Sequence, residues 1–152
     1  MKNVVIILAA CTLSFFLMNS LAKSVQLNKQ TSSTAILTKI RDIKNNSDEI
    51  GRVASAKDLA DLISAMPEAK RRRLSNAEID SIATLLFDCD DGVRMYAAIV
   101  LGNIGPRASR VLAQLRKSLE DNRLPAAGQI GPTLGSTSAI YKAIEKISTD
   151  AH

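Results

Sequence analysis

The densest set of side chains that could carry out chemistry is the run Asp88-Cys89-Asp90-Asp91. Closely spaced carboxylates bind calcium in EF-hand loops and act as general acids or bases in enzymes. An EF-hand loop that begins at Asp88 needs glycine at its sixth position and glutamate at its twelfth. The chain has Val93 and Ile99 at these positions. The run is therefore interpreted as a turn rich in helix-capping acids, and we expect no metal ion there.

Cysteine and histidine, the other residues of acid–base and metal chemistry, are scarce. Cys89 is one of two cysteines, and His152 is the single histidine. A catalytic thiol needs a neighbouring base, and the sequence places none beside Cys89. We expect Cys89 to be a buried or half-buried structural thiol, with no catalytic residue and no cofactor. The alternative that stays open is a small enzyme or enzyme subunit that uses Asp88, Asp90 and Asp91.

Two groups of basic residues are candidates for binding a partner. They are the continuous run Lys70, Arg71, Arg72 and Arg73, and the helically spaced Arg107, Arg110 and Lys117. Because only 3% of residues are aromatic, a base-stacking surface for nucleic acid is disfavoured, and we expect an acidic protein partner. The alternatives are a solvated turn at residues 70–73 and an ordinary polar helix face.

Three glycines, Gly128, Gly131 and Gly135, invite comparison with a phosphate-binding loop. A P-loop carries a GK[ST] sequence after a strand, and this stretch has neither feature. Residues 121–135 are therefore predicted to form a long loop between helices, which could also serve as a contact surface.

The first 22 residues have the three parts of a secretory signal peptide. Lys2 is followed by an apolar stretch over residues 4–18 and by small residues before a cleavage point after Ala22. The stretch is shorter than the roughly 20 apolar residues of a membrane span, so no stable span is expected. The alternative is a lipoprotein cleaved before Cys11.

Cleavage after residue 22 would leave a polar, flexible arm at residues 23–33 and one helical domain at residues 34–150. It lowers the number of lysines and arginines from 20 to 19 against 15 acidic residues, so that the net charge falls from +5 to +4. The expected location is the bacterial periplasm or the outside of the cell.

Apolar residues recur at helical spacing through this domain, with turn signals between the segments. Six amphipathic helices in an all-α fold are predicted. The start signals are Ser55 with Asp58, Ser75 with Glu78, Asp91, Pro106, and Ser136 or Ser138.

Residues 85–121 resemble a HEAT repeat. The features that carry the resemblance are Leu85-Leu86, Asp88, Asp90, Val93-Arg94, Ala97-Ala98, Leu101-Gly102 and Ile104-Gly105-Pro106, followed by Leu112 and Leu115. The resemblance covers one repeat, about residues 75–121, flanked by degenerate helices. It implies a short right-handed stack, because such repeats bury their apolar faces only against neighbours.

Five residues of this repeat are expected to have structural roles. Asp88 and Arg94 match the residues that form a structural contact in HEAT repeats. Gly102 and Gly105 suit a tight turn, with Gly105 in the left-handed conformation at a helix end. Pro106 suits the first position of the next helix.

The function expected from the sequence is a secreted, non-enzymatic protein-binding module, such as an adaptor, an assembly factor or an inhibitor of the immunity-protein type. The resemblance places Arg107, Arg110 and Lys117 on the second helix of the repeat, which lines the concave side of HEAT stacks. It thereby implies that these residues face the partner. Besides the enzyme, a structural oligomer with a large exposed apolar patch stays open.

Overall fold

The computed structural model describes residues 33–123 and 134–149. The chain divides into two compact units, Met1–Ala35 and Ile36–His152. Residues 33–35 are the described part of the first unit, and they are helical. The expected signal peptide and residues 23–32 of the expected arm lie outside the described residues. Within the described ranges no helix is long and apolar enough to cross a membrane.

The described residues form helices and no strand, which confirms the prediction of an all-α fold. The α-helices are α1 (33–45), α2 (Glu49–Ala65), α3 (Glu68–Arg71), α4 (Asn76–Ala83), α5 (Asp91–Ile104), α6 (Leu112–Arg123) and α7 (Leu134–Thr149). A 3-10 helix, Thr84–Phe87, continues α4, and another, Gly105–Val111, leads into α6. Apart from the single turn of α3, six α-helices pack together in this part of the chain.

Side-chain hydrogen bonds to free amides fix where two of the helices begin. Ser75 and Glu78 form the predicted capping box, in which the Glu78 carboxylate accepts from the Ser75 amide at 2.7 Å. The N-cap of α5 is Asp90, one residue before the predicted Asp91, and Asp90 Oδ1 accepts from the Gly92 amide at 2.9 Å.

Two predicted helix starts are wrong. The N-cap of α2 is Asp48, whose Oδ2 accepts from the Gly51 amide at 2.8 Å, and Ser55 lies inside the helix. An earlier start wins because each further turn adds backbone hydrogen bonds after nucleation. Ser136 and Ser138 lie inside α7, and Ser136 is buried with its hydroxyl donating to Asp91 Oδ1.

The connections before and after α6 also differ from the prediction. Pro106 is the second residue of the 3-10 helix Gly105–Val111, and α6 begins only at Leu112. Gly105 has a φ of 73°, which ends α5, and the tighter 3-10 turn follows with proline at its start. Residues 121–123 and 134–135 are helical, so the predicted loop over 121–135 is shorter. Its residues 124–133 lie outside the described part.

Helix α5 lies between α2 and α7, and it runs parallel to α2. Near the start of both helices, a Cβ on Gly92 would come within 2.8 Å of Val53. Near their ends, Asn103 Nδ2 donates to Ser64 Oγ at 2.9 Å. Because both pairs are separated by 39 residues, the two helices keep one register along their length.

Helix α7 runs parallel to α5 on the other side, since Ser136 contacts Asp91 near the start of both helices and the following contacts lie near their ends. Asn103 Oδ1 accepts from Lys146 Nζ at 3.3 Å. A Cβ on Gly102 would lie 3.2 Å from Ala143 Cα, so Gly102 is required for a close approach of two helices. It lies within α5, and the expectation that it belongs to a tight turn is wrong.

The segment that leads into α6 and continues through it runs parallel to α4 and its 3-10 extension. Arg110 pairs with Asp80 at 3.0 Å, and Ser118 Oγ donates to the Leu86 carbonyl at 2.9 Å. These contacts join residues 30 and 32 positions apart. Each pair of parallel helices thus keeps one register, with a step of 39 residues from α2 to α5 and of 30 to 32 residues from α4 to the segment of α6.

One hydrophobic core connects the described helices of the second unit. Its largest fully buried side chains are Ile36, Ile43, Leu59, Ile63, Ile79, Ile82, Leu85, Leu86, Leu101, Leu115, Ile140 and Ile147. Burial of each contributes about 1.5–3 kcal/mol to folding. Ala97 and Ala98 are also buried, and they keep α5 thin where it packs against its neighbours.

Candidate functional site

Residues 88–91, here called the acidic turn, are held by Arg52 of α2. Its Nη2 lies 2.7 Å from Asp88 Oδ1, 3.0 Å from Cys89 Sγ and 3.7 Å from Asp90 Oδ2. The hydrogen bond with Cys89 is the main cause that raises the pKa of Arg52 above its ordinary value, and the carboxylates add to it. Arg52 is therefore a permanent positive charge against the turn.

Arg94 contacts the acidic turn from inside α5. Its Nη1 donates to the carbonyl oxygens of Asp88 at 2.8 Å and Cys89 at 3.1 Å, and its Nη2 lies 3.0 Å from Asp91 Oδ1. The expected contact between Asp88 and Arg94 is thus made through the Asp88 backbone. The carboxylate of Asp88 pairs with Arg52 of α2 instead.

The acidic turn is arranged as a set of helix caps and ion pairs. Asp88 Oδ1 accepts from the Asp90 amide at 3.0 Å, Asp90 caps α5, and Asp91 accepts from Arg94 and Ser136. The described residues contain no group of three or more potential metal ligands. Each carboxylate of the turn has a structural partner through at least one oxygen, while Asp90 Oδ2 is buried without a hydrogen bond from the described residues, at 3.7 Å from Arg52 Nη2.

Cys89 is exposed, so the expectation of a buried or half-buried thiol is wrong. Cys89 lies in the short connection between the 3-10 helix Thr84–Phe87 and α5, where neither helix covers its side chain. Its Sγ contacts Arg52 at 3.0 Å and Asp88 Oδ1 at 3.6 Å.

The basic residues predicted to bind a partner meet at an open groove of about 1000 Å³, here called the basic groove. Arg71 and Arg72 line it from α3 and its end, and Arg107 and Arg110 line it from the 3-10 helix before α6. Lys146 of α7 completes the lining cations. The two basic groups, which the sequence presents as separate candidates, therefore contribute to one surface.

Two of these five cations are neutralised by carboxylates. Arg72 pairs with Glu68, which also lines the groove, across one turn of helix. Arg110 makes two contacts of 3.0 Å with the carboxylate of Asp80. Both pairs are well exposed to solvent, so they contribute little to stability.

The other three cations have no carboxylate partner among the described residues. Arg107 Nη2 donates to the Asn76 amide oxygen at 3.0 Å, and Lys146 Nζ donates to the Asn103 amide oxygen at 3.3 Å. Neutral amides position these two side chains and leave their charges uncompensated. Arg71 Nε is buried and finds no acceptor in the described part of the chain. Three uncompensated positive charges thus come from three different elements.

The floor of the basic groove is the turn that ends α5. Gly105 and Pro106 line it beside Ile104. Gly105 takes the expected positive φ, and no atom lies within 4 Å of where its Cβ would be. Its role is therefore conformational, because an L side chain would be strained there by the backbone and not by a neighbour.

Three predicted basic residues do not line the basic groove. Lys70 and Arg73 are exposed on either side of the lining pair. Lys117 lies over the ring of Phe87, with Nζ 5.8 Å from the ring centre, where a cation is attracted to the π-electrons.

Sequence reasoning missed Lys146 and Arg52. Each side chain meets its partner across more than thirty residues of sequence, so helical periodicity within one segment gives no signal for the contact. The signal that could find Lys146 is the step of about 40 residues between parallel helices, which places it beside the end of α5.

Comparison with protein-family models, with curated proteins and with solved structures found no match.

Proposed function

We propose that this protein is a non-enzymatic binding module whose basic groove holds an acidic segment of another protein. One observation carries the proposal: Arg71, Arg107 and Lys146 gather at one groove without carboxylate partners among the described residues. Uncompensated charges on a preformed surface favour the binding of the opposite charge, since little side-chain ordering is then needed.

The lining of the groove favours a protein partner over nucleic acid. None of the described residues that line it is aromatic, and proteins that hold single strands usually stack bases on aromatic side chains. Two of its uncompensated cations are fixed by amides, which suits discrete carboxylates better than a mobile backbone of phosphates.

The arrangement of the acidic turn supports a binding role over an enzymatic one. A catalytic carboxylate acts on a substrate proton within hydrogen-bond reach. Asp88, Asp90 and Asp91 instead cap α5 or hold Arg52 and Arg94. The parallel packing of α5 with α2 and α7 also supports the HEAT-like character of the chain, and stacked repeats characteristically serve as binding surfaces.

Binding of a different protein is favoured over self-assembly. The exposed large hydrophobic residues of the described part are Leu37, Ile50, Phe87, Ile99 and Tyr141. They lie on five different elements, so no single helix in the described ranges presents an apolar stripe of large exposed side chains to a second copy of the chain.

Secretion to the bacterial periplasm is part of the proposal. It is supported by the charged start, the apolar stretch and the small residues of positions 1–22. In that compartment the module would act as an adaptor, an assembly factor or an inhibitor of a protein with an acidic surface.

The test compares two triple charge reversals as baits in an envelope extract. The groove variant is Arg71→Glu, Arg107→Glu and Lys146→Glu. The control variant is Arg41→Glu, Lys44→Glu and Arg116→Glu, which changes the net charge equally at exposed positions outside the groove. We expect the wild type and the control variant to retain the same acidic protein and the groove variant to lose it. Equal retention by the groove and control variants would contradict the proposal.

A further inference from the structure

A second depression, here called the apolar furrow, lies between α5 and α7. Its volume is about 330 Å³, and it is lined by Met95, Ile99 and Ala139 together with Lys142. Ile99 is 36% exposed, although it belongs to the helix with the most neighbours. The furrow arises because small side chains meet where the two helices approach, so that apolar surface stays open above them.

The apolar furrow runs directly into the basic groove. Asn103 and Lys146 line both depressions, and they are joined by a hydrogen bond of 3.3 Å. Lys142 lies one turn before Lys146 on α7 and has no ion-pair partner in the described ranges. A single path therefore leads from apolar side chains to a series of cations.

We propose that this continuous path binds an acidic amphipathic protein segment, with an apolar side chain in the apolar furrow and carboxylates on the cations. The inference rests on the proposed function and specifies the partner. The acidic part follows from charge complementarity, since Lys142 lines the apolar furrow, Lys146 lines both depressions, and Arg107 and Arg71 line the basic groove. The apolar part follows from the exposed Ile99, because only a partner with an apolar side chain at this position would remove Ile99 from water favourably.

The part of the path that lies along α5 sets a minimum length for the segment. Along α5, Met95 and Ile104 are separated by about 14 Å at the rise of an α-helix. An extended chain covers this distance with about four residues. One apolar side chain at the furrow followed by several carboxylates beyond it therefore fits.

The experiment uses the purified protein and three fluorescein-labelled decapeptides. One contains only glutamate and aspartate. In the other two, a pair of leucines stands at the N-terminal end or at the C-terminal end. We expect one leucine peptide to bind the wild type about fivefold more tightly than the all-acidic peptide, since half-burial of a leucine has an effect of this size. Addition of that peptide should shift the methyl resonances of Met95 and Ile99.

Substitutions of two isoleucines test whether the gain in affinity from leucine arises in the apolar furrow. In Ile99→Asn the gain from leucine should disappear while the all-acidic peptide binds as before. Ile50→Asn, at an isoleucine that is 80% exposed on α2, should behave as the wild type. The inference is overturned if leucine adds no affinity, if the gain survives in Ile99→Asn, or if the two methyl resonances do not move.

Other outcomes separate this inference from the proposed function. If the all-acidic peptide binds the wild type but leucine adds nothing, the proposed function stands and the inference fails. If no acidic peptide binds the wild type, the proposed function fails with it. A single-stranded DNA oligonucleotide that binds as tightly as the leucine peptide, without dependence on Ile99, would replace the protein segment by nucleic acid.

Discussion

Arg52 and Asp88 are joined by a contact of 2.7 Å between Nη2 and Oδ1, although 36 residues separate them in sequence. Their side chains are only 19% and 15% exposed. The pair connects α2 to the turn before α5, so it fixes how two successive parallel helices meet. A buried charge that loses its partner is destabilising because its desolvation is no longer compensated.

The first prediction concerns this ion pair. Arg52→Ala should lower the midpoint of urea unfolding more than Arg52→Lys, because lysine keeps the charge but loses the hydrogen-bond geometry of the guanidinium. Arg41→Ala is the control, since Arg41 is exposed on α1. If Arg52→Ala and Arg41→Ala unfold at the same urea concentration, the pair does not support the helix stack.

The second prediction concerns the close approach of α5 and α7. Gly102→Leu places a side chain where a Cβ would already lie 3.2 Å from Ala143 Cα. Overpacking of this kind lowers the free energy of unfolding by about 1–3 kcal/mol. Ala54→Leu, at an exposed position of α2, should change it by less than about 0.5 kcal/mol. Equal effects of the two substitutions in denaturant unfolding would show that the helices do not meet at Gly102.

The third prediction concerns the positive φ of Gly105, which is 73°. Gly105→Ala should destabilise the fold by about 1–3 kcal/mol, because L residues are strained in this conformation. A D-alanine introduced by semisynthesis should restore stability, since no neighbouring atom obstructs a Cβ. Thermal unfolding of the two variants distinguishes the two causes. Backbone strain would destabilise only the L-alanine variant, whereas a steric clash would destabilise both variants.

The fourth prediction concerns pH. The hydrogen bond from Lys39 Nζ, 2.7 Å long, is the main cause that lowers the pKa of Asp58 below its ordinary 3.8. A lowered carboxyl pKa stabilises the folded state above the ordinary value, and this contribution is lost as the pH falls through the folded-state pKa. Lys39→Met should therefore raise the pKa of Asp58 toward 3.8 in a carboxyl NMR titration.

A control for this titration is Lys57→Met. The charge of Lys57 is the weakest of the causes that lower the pKa of Asp58, so this variant should move it less than Lys39→Met does. A larger shift in Lys57→Met would mean that Lys39 is not the partner of Asp58.

The parts of the fold that could be predicted are those set by neighbours in sequence. The capping box of Ser75 and Glu78 spans three residues, and the positive φ of Gly105 follows from its place between a helix and a proline. The predicted N-cap of α5, Asp91, lies one residue after the observed N-cap, Asp90, because two adjacent aspartates are chemically equal. What could not be predicted is the pairing of Asp88 with Arg52, which depends on how α2 packs.

The candidate site also has features that the sequence predicts and features that depend on how the helices pack. The basic character of residues 70–73 and of Arg107 and Arg110 is visible in the sequence, and the structure joins them only because α3 and the turn after α5 lie side by side. Which charges are compensated depends on partners such as Asp80, 30 residues before Arg110. Lys117 follows the same spacing but is placed over Phe87.

The most direct test of the central claim is the affinity for the all-acidic decapeptide as a function of salt concentration. Wild type and the control variant should bind it with the same Kd within about twofold, and this binding should weaken as salt is added, because screening reduces the attraction between exposed charges. The groove variant should bind at least about tenfold more weakly at low salt, with an unchanged circular dichroism spectrum. A folded groove variant that binds the peptide as tightly as the control variant would contradict the assignment of the basic groove as the binding site.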